Sequence, residues 1–325
     1  MIISRTPFRV SLAGGGTDLA AFYRTEPGAV LTTAIDKYMY VTVNRYFDDS
    51  IILKYRRTEL VRRVSDIRHP ILRECLRLTG IDRGVEITSM ADIVGGTGLG
   101  SSSSFAVGVL HALHAYKGEY RSAEELAREA CAVEIARLKE PIGKQDQYIA
   151  AYGGFQHVEF LPDETVRVDP VVLGARARAE LSSRLLMFYT GVTRKASTIL
   201  RAFRARIPGQ FERLRRQRDL ARECAAALRA GRVADLGAIL DESWALKRAA
   251  SSGASTPDID RAYAAARAAG ADGGKILGAG GGGFLLLFAR PSRQAAVRRA
   301  LSRWREIPIS FEPEGSKIVY VSRAP

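Results

Sequence analysis

The stretch Gly95-Gly96-Thr97-Gly98-Leu99-Gly100-Ser101-Ser102-Ser103-Ser104 brings together the residue types that hold phosphate. Glycine lets main-chain amides come close to an anion and takes up positive-φ conformations that other residues resist. The serines open Phe105-Ala106-Val107-Gly108-Val109-Leu110, and the run continues through His111-Ala112-Leu113 with helical apolar spacing. A helix start offers unpaired amides and the positive end of its dipole, so the segment predicts an anion site at a helix N-terminus. A capped turn alone explains less, because a cap needs one serine and no glycine cluster.

Other phosphate motifs are excluded by context. Gly278-x-Gly280-x-x-Gly283 has the letters of a dinucleotide fingerprint, but that fingerprint follows a strand and opens a helix early in a βαβ unit. Here the glycines lead into the apolar run 284–288, which reads as a strand, so the loop is expected to bring backbone close to a ligand or to the other half of the chain. A Walker loop needs lysine where this chain has Ser101, and the protein-kinase pair His-Arg-Asp and Asp-Phe-Gly is missing. Two carboxylates stand out between the later glycine clusters. Glu134 shares a helical stripe with Ala127, Cys131 and Leu138, where an unpaired charge is costly; a salt bridge at the helix edge is the alternative. Asp146 lies in Gly143-Lys144-Gln145-Asp146-Gln147, a context that also suits an ordinary turn residue.

Around these residues the chain reads as α+β. Strands are expected at 8–12, ending in Gly14-Gly15-Gly16, and at 40–43, 51–55, 85–88 and 154–160. Helices are expected from the serine cluster to about Tyr116 and from Ser122 to about Lys139, the second opened by the capping box Ser122-Ala123-Glu124-Glu125. The second half shows a strand at 185–189, basic amphipathic helices over 194–249, the glycine loop with its strand, a helix at 294–303 and a strand at 317–321. A length of 325 residues suits about two domains, and we divide them within 162–182, giving units of 1–175 and 176–325.

Composition narrows the partners. The hydrophobic fraction of 46% and charged fraction of 26% are those of a soluble globular chain, and no apolar run approaches the roughly 18 residues of a membrane span. Met1-Ile2-Ile3-Ser4-Arg5-Thr6-Pro7 lacks the apolar stretch of a secretory signal. Cys75, Cys131 and Cys224 are widely spaced and odd in number, which suits thiols in a reducing cytoplasm better than a disulfide frame. The net charge of +14 raises the question of nucleic acid. The basic residues are spread out, however, and the densest stretch, 201–222, carries Phe203, Ile207, Phe211 and Leu214 at the spacing of a helix with a solvated basic face. An anionic small substrate gains from this field; neither nucleic acid nor membrane is expected, and the one protein partner open to the chain is a second copy, as a homodimer.

Three glycine-rich stretches in this order, with a carboxylate between the last two, resemble the motifs of the GHMP kinase superfamily (galactokinase, homoserine kinase, mevalonate kinase, phosphomevalonate kinase) over essentially the whole chain. Arg5-Thr6-Pro7-Phe8-Arg9-Val10-Ser11-Leu12-Ala13-Gly14-Gly15-Gly16-Thr17-Asp18 resembles the first motif, Gly96-Thr97-Gly98-Leu99-Gly100-Ser101-Ser102 the second, and Lys275-Ile276-Leu277-Gly278-Ala279-Gly280-Gly281-Gly282-Gly283 the third. The first motif is most similar to bacterial sugar kinases of the D-glycero-D-manno-heptose 7-phosphate kinase type. The resemblance implies a two-domain GHMP kinase fold, with an N-terminal unit like ribosomal protein S5 domain 2 and a C-terminal ferredoxin-like α+β unit. It implies transfer of the γ-phosphoryl group of ATP, with Mg2+, to the anomeric hydroxyl of a heptose 7-phosphate for nucleotide-activated heptose synthesis. Fucose, galactose or a related sugar, a mevalonate-type alcohol, and a catalytically silent ligand sensor are the alternatives.

Residue roles follow from the same resemblance. Gly96, Gly98, Leu99, Gly100, Ser101, Ser102 and Ser103 would cradle the nucleotide phosphates, and Ser102 with Glu134 would hold magnesium. Asp146, twelve residues after Glu134, would orient or deprotonate the sugar hydroxyl, with Arg9 polarising the acceptor and steadying Asp146. Gly15, Gly16, Thr17 and Asp18 would bind the sugar together with Gly280 and Gly281. Galactokinases carry Glu-His where this chain has Gly15-Gly16, so space for a larger or phosphorylated sugar is expected there. Arg194 and Lys195 are the cations expected on the acceptor's second phosphate. His69, His111, His114 and His157 show no ligand spacing.

Overall fold

Residues 2–13 form one long strand, β1 (Ile2–Ala13), in the computed structural model, which describes residues 1–322 apart from Lys195 and Ser252. The strand is buried on both faces from Thr6 onward, so the polar members of its alternating pattern, Arg9 and Ser11, are buried along with Phe8, Val10 and Leu12. A short helix, α1 (Ala20–Tyr23), leads to β2 (Gly28–Arg45), the hairpin β3 (Ile51–Lys54) and β4 (Thr58–Val61), helix α2 (Pro70–Thr79) and β5 (Val85–Ala91). Helices α3 (Ser101–Tyr116), α4 (Ala123–Cys131) and α5 (Gln145–Tyr152) follow, then β6 (Phe155–Phe160) and β7 (Val166–Pro170). The rest of the chain forms α6 (Ala175–Arg184), β8 (Leu185–Tyr189), α7 (Ala196–Arg206), α8 (Phe211–Arg229), α9 (Leu236–Ala250) and α10 (Pro257–Ala268). It ends with β9 (Ala271–Ile276), β10 (Phe284–Ala289), α11 (Pro291–Ala300), β11 (Arg305–Glu306) and β12 (Lys317–Val321).

Two sheets result. The first has eight strands in the order β12-β1-β2-β5-β3-β4, with β6 and β7 added alongside β2. The second runs β11-β8-β10-β9 with antiparallel neighbours, the order of a ferredoxin-like unit. The sheets therefore divide the chain near α6, except that β12 returns to the first, with Ile2 opposite Val321. α4 is capped by the reciprocal Ser122–Glu125 box and then widens into a π-turn over Ala132–Arg137. Helix α5 forms where the sequence also allowed an ordinary turn, and α2 and α10 carry no expectation from it. Along α8 the arginines are paired: Arg215 and Arg218 with Glu26, Arg216 with Glu223 and Glu242, Arg222 with Glu159.

One apolar cluster joins the sheets. Phe8, Val10 and Leu12 of β1 and Leu31 and Ile35 of β2 pack with Leu220, Ala221 and Leu228 of α8 and with Met187, Leu286 and Phe288 of the second sheet. Leu286 is fully buried at the centre of this contact. We predict that Leu286→Ala lowers unfolding free energy by about 2–5 kcal/mol in denaturant titration, through lost transfer energy and the cavity left behind.

Candidate active site

Strand β5 and helix α3 are joined by the Gly95–Gly100 turn, a strand-loop-helix unit. Gly96, Gly98 and Gly100 take φ values of 80°, 83° and 74°, so their glycine identity is a backbone requirement. Gly100 stands at the helix N-cap without a side-chain bond, so the first amides of α3 have no side-chain cap where Gly100 to Ser103 line the cavity. The third glycine cluster packs on this turn. A Cβ on Gly278 would lie 2.4 Å from the Gly98 Cα, one on Gly98 2.6 Å from the Leu277 carbonyl, and one on Gly283 2.2 Å from the Thr97 carbonyl. Of the two expectations for that loop, close approach to the other half of the chain is what these contacts describe.

Arg9 reaches from β1 into the same place. Its Nε and Nη2 both donate at 2.7 Å to the two oxygens of Asp146, and its Nη1 donates at 2.6 Å to the Gly98 carbonyl. Asp146 is the second residue of α5, where the helix dipole favours a carboxylate. Its Oδ2 would be 3.3 Å from a Cβ on Gly100, so the acidic group lies against the head of α3. On the other side, Ser102 Oγ donates to Glu134 Oε1 at 2.5 Å and Gln147 Nε2 donates to Glu134 Oε2 at 2.6 Å. Glu134 is 1% exposed and sits in the π-turn after α4, a helix irregularity frequent at functional sites. Burial raises its pKa above the usual carboxylate value, against the hydrogen bonds that lower it.

The far end of the cavity is shaped by the 14–18 turn. Asp18 accepts from the Gly16 amide at 2.9 Å and from Gln145 Nε2 at 3.1 Å, and burial, then the charge of Asp146, raises its pKa. Gly143 must be glycine, since a Cβ would fall 1.9 Å from Asp18 Oδ2. Two buried polar atoms on this wall, Ser11 Oγ and Gln145 Oε1, have no hydrogen-bond partner, as expected of groups that bind hydroxyls. Neither carries a local sequence signal. Two sequence expectations are corrected here. Thr17 is fully buried off the cavity wall, its hydroxyl tied to the Gly14 and Ala29 carbonyls, so it holds the turn rather than lining the cavity. The space freed at Gly16 is filled, because a Cβ there would meet the Phe203 ring at 3.1 Å and Leu214 at 3.3 Å; only Gly15 faces open room.

The remaining expected residues scatter. Gly280 lines the cavity, whereas Gly281 packs on Gly253 and Arg194. Leu99 is buried with its carbonyl accepting the Arg9 amide, so only its backbone belongs to the loop surface. Arg194 is exposed at the cavity rim, its amide bonded to the Gly96 carbonyl, and Lys195 lies outside the described residues. Lys247 of α9 and Lys275 of β9 line the wall instead, and reading the sequence alone assigned neither a role. The cavity enclosed by these groups is about 620 Å³, ample for a nucleotide tail and a sugar.

A cavity with a phosphate-type loop at one end and a hydroxyl-binding wall at the other defines a small-molecule kinase, and the comparisons agree. The family profiles described as GHMP kinases N terminal domain and GHMP kinases C terminal match residues 60–154 and 224–306. The D-glycero-alpha-D-manno-heptose 7-phosphate kinase of Campylobacter jejuni is 30% identical over 336 residues, 97% of this chain and 98% of that protein. A mevalonate kinase of Pyrococcus horikoshii is also 30% identical, over 91% of this chain and 83% of its own length. The crystal structure of a D-glycero-D-manno-heptose 1-phosphate kinase from Bacteroides thetaiotaomicron superposes with a TM-score of 0.82 at 26% identity, covering 99% of this chain and all of that one. The chain belongs to the GHMP kinases. Within that family it is a phosphotransferase of the sugar-kinase type, acting on an alcohol group.

Because the third loop buttresses the second through close backbone contact, Gly278→Ala should push the two apart. We expect nucleotide-analogue affinity to fall in calorimetry while far-ultraviolet circular dichroism stays unchanged.

Proposed function

We propose that the protein transfers the γ-phosphoryl group of ATP to the anomeric hydroxyl of a heptose 7-phosphate. The observation that carries this reading is the Asp146 carboxylate, clamped by Arg9 and lying at the head of the phosphate-loop helix. Relatives named for heptose phosphates, similar over nearly the full length of this chain, support the acceptor class. A mevalonate kinase matches at equal identity, so it is the hydroxyl-binding wall of Ser11, Asp18 and Gln145 that favours a sugar.

Phosphoryl transfer asks for alignment and charge neutralisation more than for covalent chemistry. The loop amides from Gly98 to Ser103 hold the terminal phosphates. Asp18, Ser11 and Gln145 hold the sugar so that its hydroxyl meets Asp146. The acceptor oxygen then attacks the γ-phosphorus, the bond to the bridging oxygen breaks, and the hydroxyl proton passes to Asp146. Arg9 keeps that carboxylate aimed and adds positive charge beside the transferring group.

Ser102 and Glu134 offer a hydroxyl and a carboxylate oxygen side by side, hard donors that suit magnesium completed by water and nucleotide oxygens. Among the described residues no cluster of three His, Cys, Asp or Glu could hold a metal alone. Magnesium bound there would neutralise phosphate charge. The free thiols Cys75, Cys131 and Cys224 agree with a reducing cytoplasm, and no described helix is long and apolar enough to cross a membrane.

An assay panel of heptose 7-phosphate, the free heptose, fucose, galactose and mevalonate tests the acceptor. Turnover with a free hexose alone would overturn the heptose phosphate assignment. Asp146→Asn should reduce turnover by about 10²–10⁴-fold with nucleotide-analogue affinity retained. Glu134→Gln should raise the magnesium concentration needed for half-maximal rate, measured against unchanged analogue binding in chelator.

A further inference from the structure

We propose that Lys247 and Lys275 form a phosphate monoester site, filled by the phosphate that the acceptor brings with it; this rests on the cavity being the kinase site described above. Lys275 is 4% exposed and donates to the Leu12 carbonyl at 3.0 Å. Lys247, partly buried, donates to the Ile276 carbonyl at 2.9 Å and the Gly278 carbonyl at 2.5 Å. An ammonium has three donors, so Lys275 keeps two and Lys247 one for a ligand. Among the described residues no carboxylate pairs with either lysine, whereas the charge of Arg9 is matched by Asp146.

Two like charges held together without a counter-ion are costly, and carbonyl dipoles do not cancel them. The groups around the pair deepen the deficit. Arg9 of β1 adds a third positive charge, Cys224 of α8 stands behind Lys275 as a thiol whose pKa burial raises, and Gln217 and Ser243 are neutral and bonded to each other. The nearby acids are engaged elsewhere, Asp146 by Arg9 and Asp18 by Gly16 and Gln145. Burial, then Arg9, brings Lys275 down to about 8, and burial, then Lys275 and Arg9, brings Lys247 well below its ordinary value. A phosphate dianion supplies the charge that is missing. Arg194, by contrast, is exposed with its main chain on Gly96, beside the loop that already has amides for the nucleotide.

Calorimetry without nucleotide tests this, using D-glycero-D-manno-heptose 7-phosphate and the unphosphorylated heptose on wild type, Lys247→Met and Lys275→Met. We expect each variant to weaken the sugar phosphate by about tenfold or more, with the free sugar unaffected and, in Lys275→Met, which leaves the partner of the Gly278 carbonyl in place, a non-hydrolysable ATP analogue unaffected as well. Variants that lose the analogue instead would assign the lysines to the nucleotide and overturn the proposal. A readout without mutation also exists. Because burial and Arg9 bring Lys275 down to about 8, wild type near that pH should take up protons on binding the sugar phosphate and not on binding the free heptose, seen as a dependence of enthalpy on buffer ionisation; an uptake that accompanies both sugars alike overturns the proposal. If wild type phosphorylates only a free sugar, the heptose phosphate reading fails by itself. Titration with inorganic phosphate then decides the lysine site, which stands if phosphate binding is lost in Lys247→Met and falls if it is kept.

Discussion

Arg9 is the constraint on which the rest of the site depends. Its guanidinium satisfies a carboxylate on α5 and a carbonyl in the phosphate turn, while its own amide bonds to Leu99. A planar fork of donors does this; a lysine ammonium could not hold both oxygens and the carbonyl in one geometry. Buried ion pairs contribute little net stability, because desolvation offsets attraction, but breaking one leaves an uncompensated charge. The value of this pair is therefore positional. It exists only when β1, the turn and α5 are all in register, so an aligned Asp146 reports a correctly assembled site.

Glycine plays two distinct parts around that fork. In the phosphate turn it permits positive φ where the turn lines the cavity. In the third cluster the absence of Cβ permits backbone-to-backbone contact between the second sheet's hairpin and the turn belonging to the first. The same hairpin strand β10 contributes Leu286 and Phe288 to the apolar cluster shared with β1. Catalytic geometry and folding core are thus built on the same pair of strands, with the carbonyls at one end and the methyl groups along the other.

What could be read beforehand was whatever has a local signature. The anion-binding turn, the capping box before Glu134 and the overall α+β order follow from glycine, serine and apolar spacing over a few residues. That Arg9 and Asp146 belong together was legible only through resemblance to a family, because an arginine in a strand and an aspartate near glycines have no signature of their own. Gly16 misled for a tertiary reason: Phe203 and Leu214, nearly two hundred residues later, fill the space its missing side chain leaves. Thr17 misled likewise, since its hydroxyl serves the Ala29 strand end. Lys247 sits in a helix that reads as an ordinary basic face, and only the meeting of α9 with β9 shows that its ammonium points inward. The shift from α-helix to π-turn that carries Glu134 also has no residue-level mark.

The return of β12 to β1 bears on how this molecule is made. The strand that holds Arg9 has one flank open until residues 317–321 are available, because Ile2 through Arg5 find their partners there. During synthesis that flank is an unprotected sheet edge, the kind of surface that invites pairing with other chains. Closure must wait until residues 317–321 have been made and have folded back onto Ile2 through Arg5.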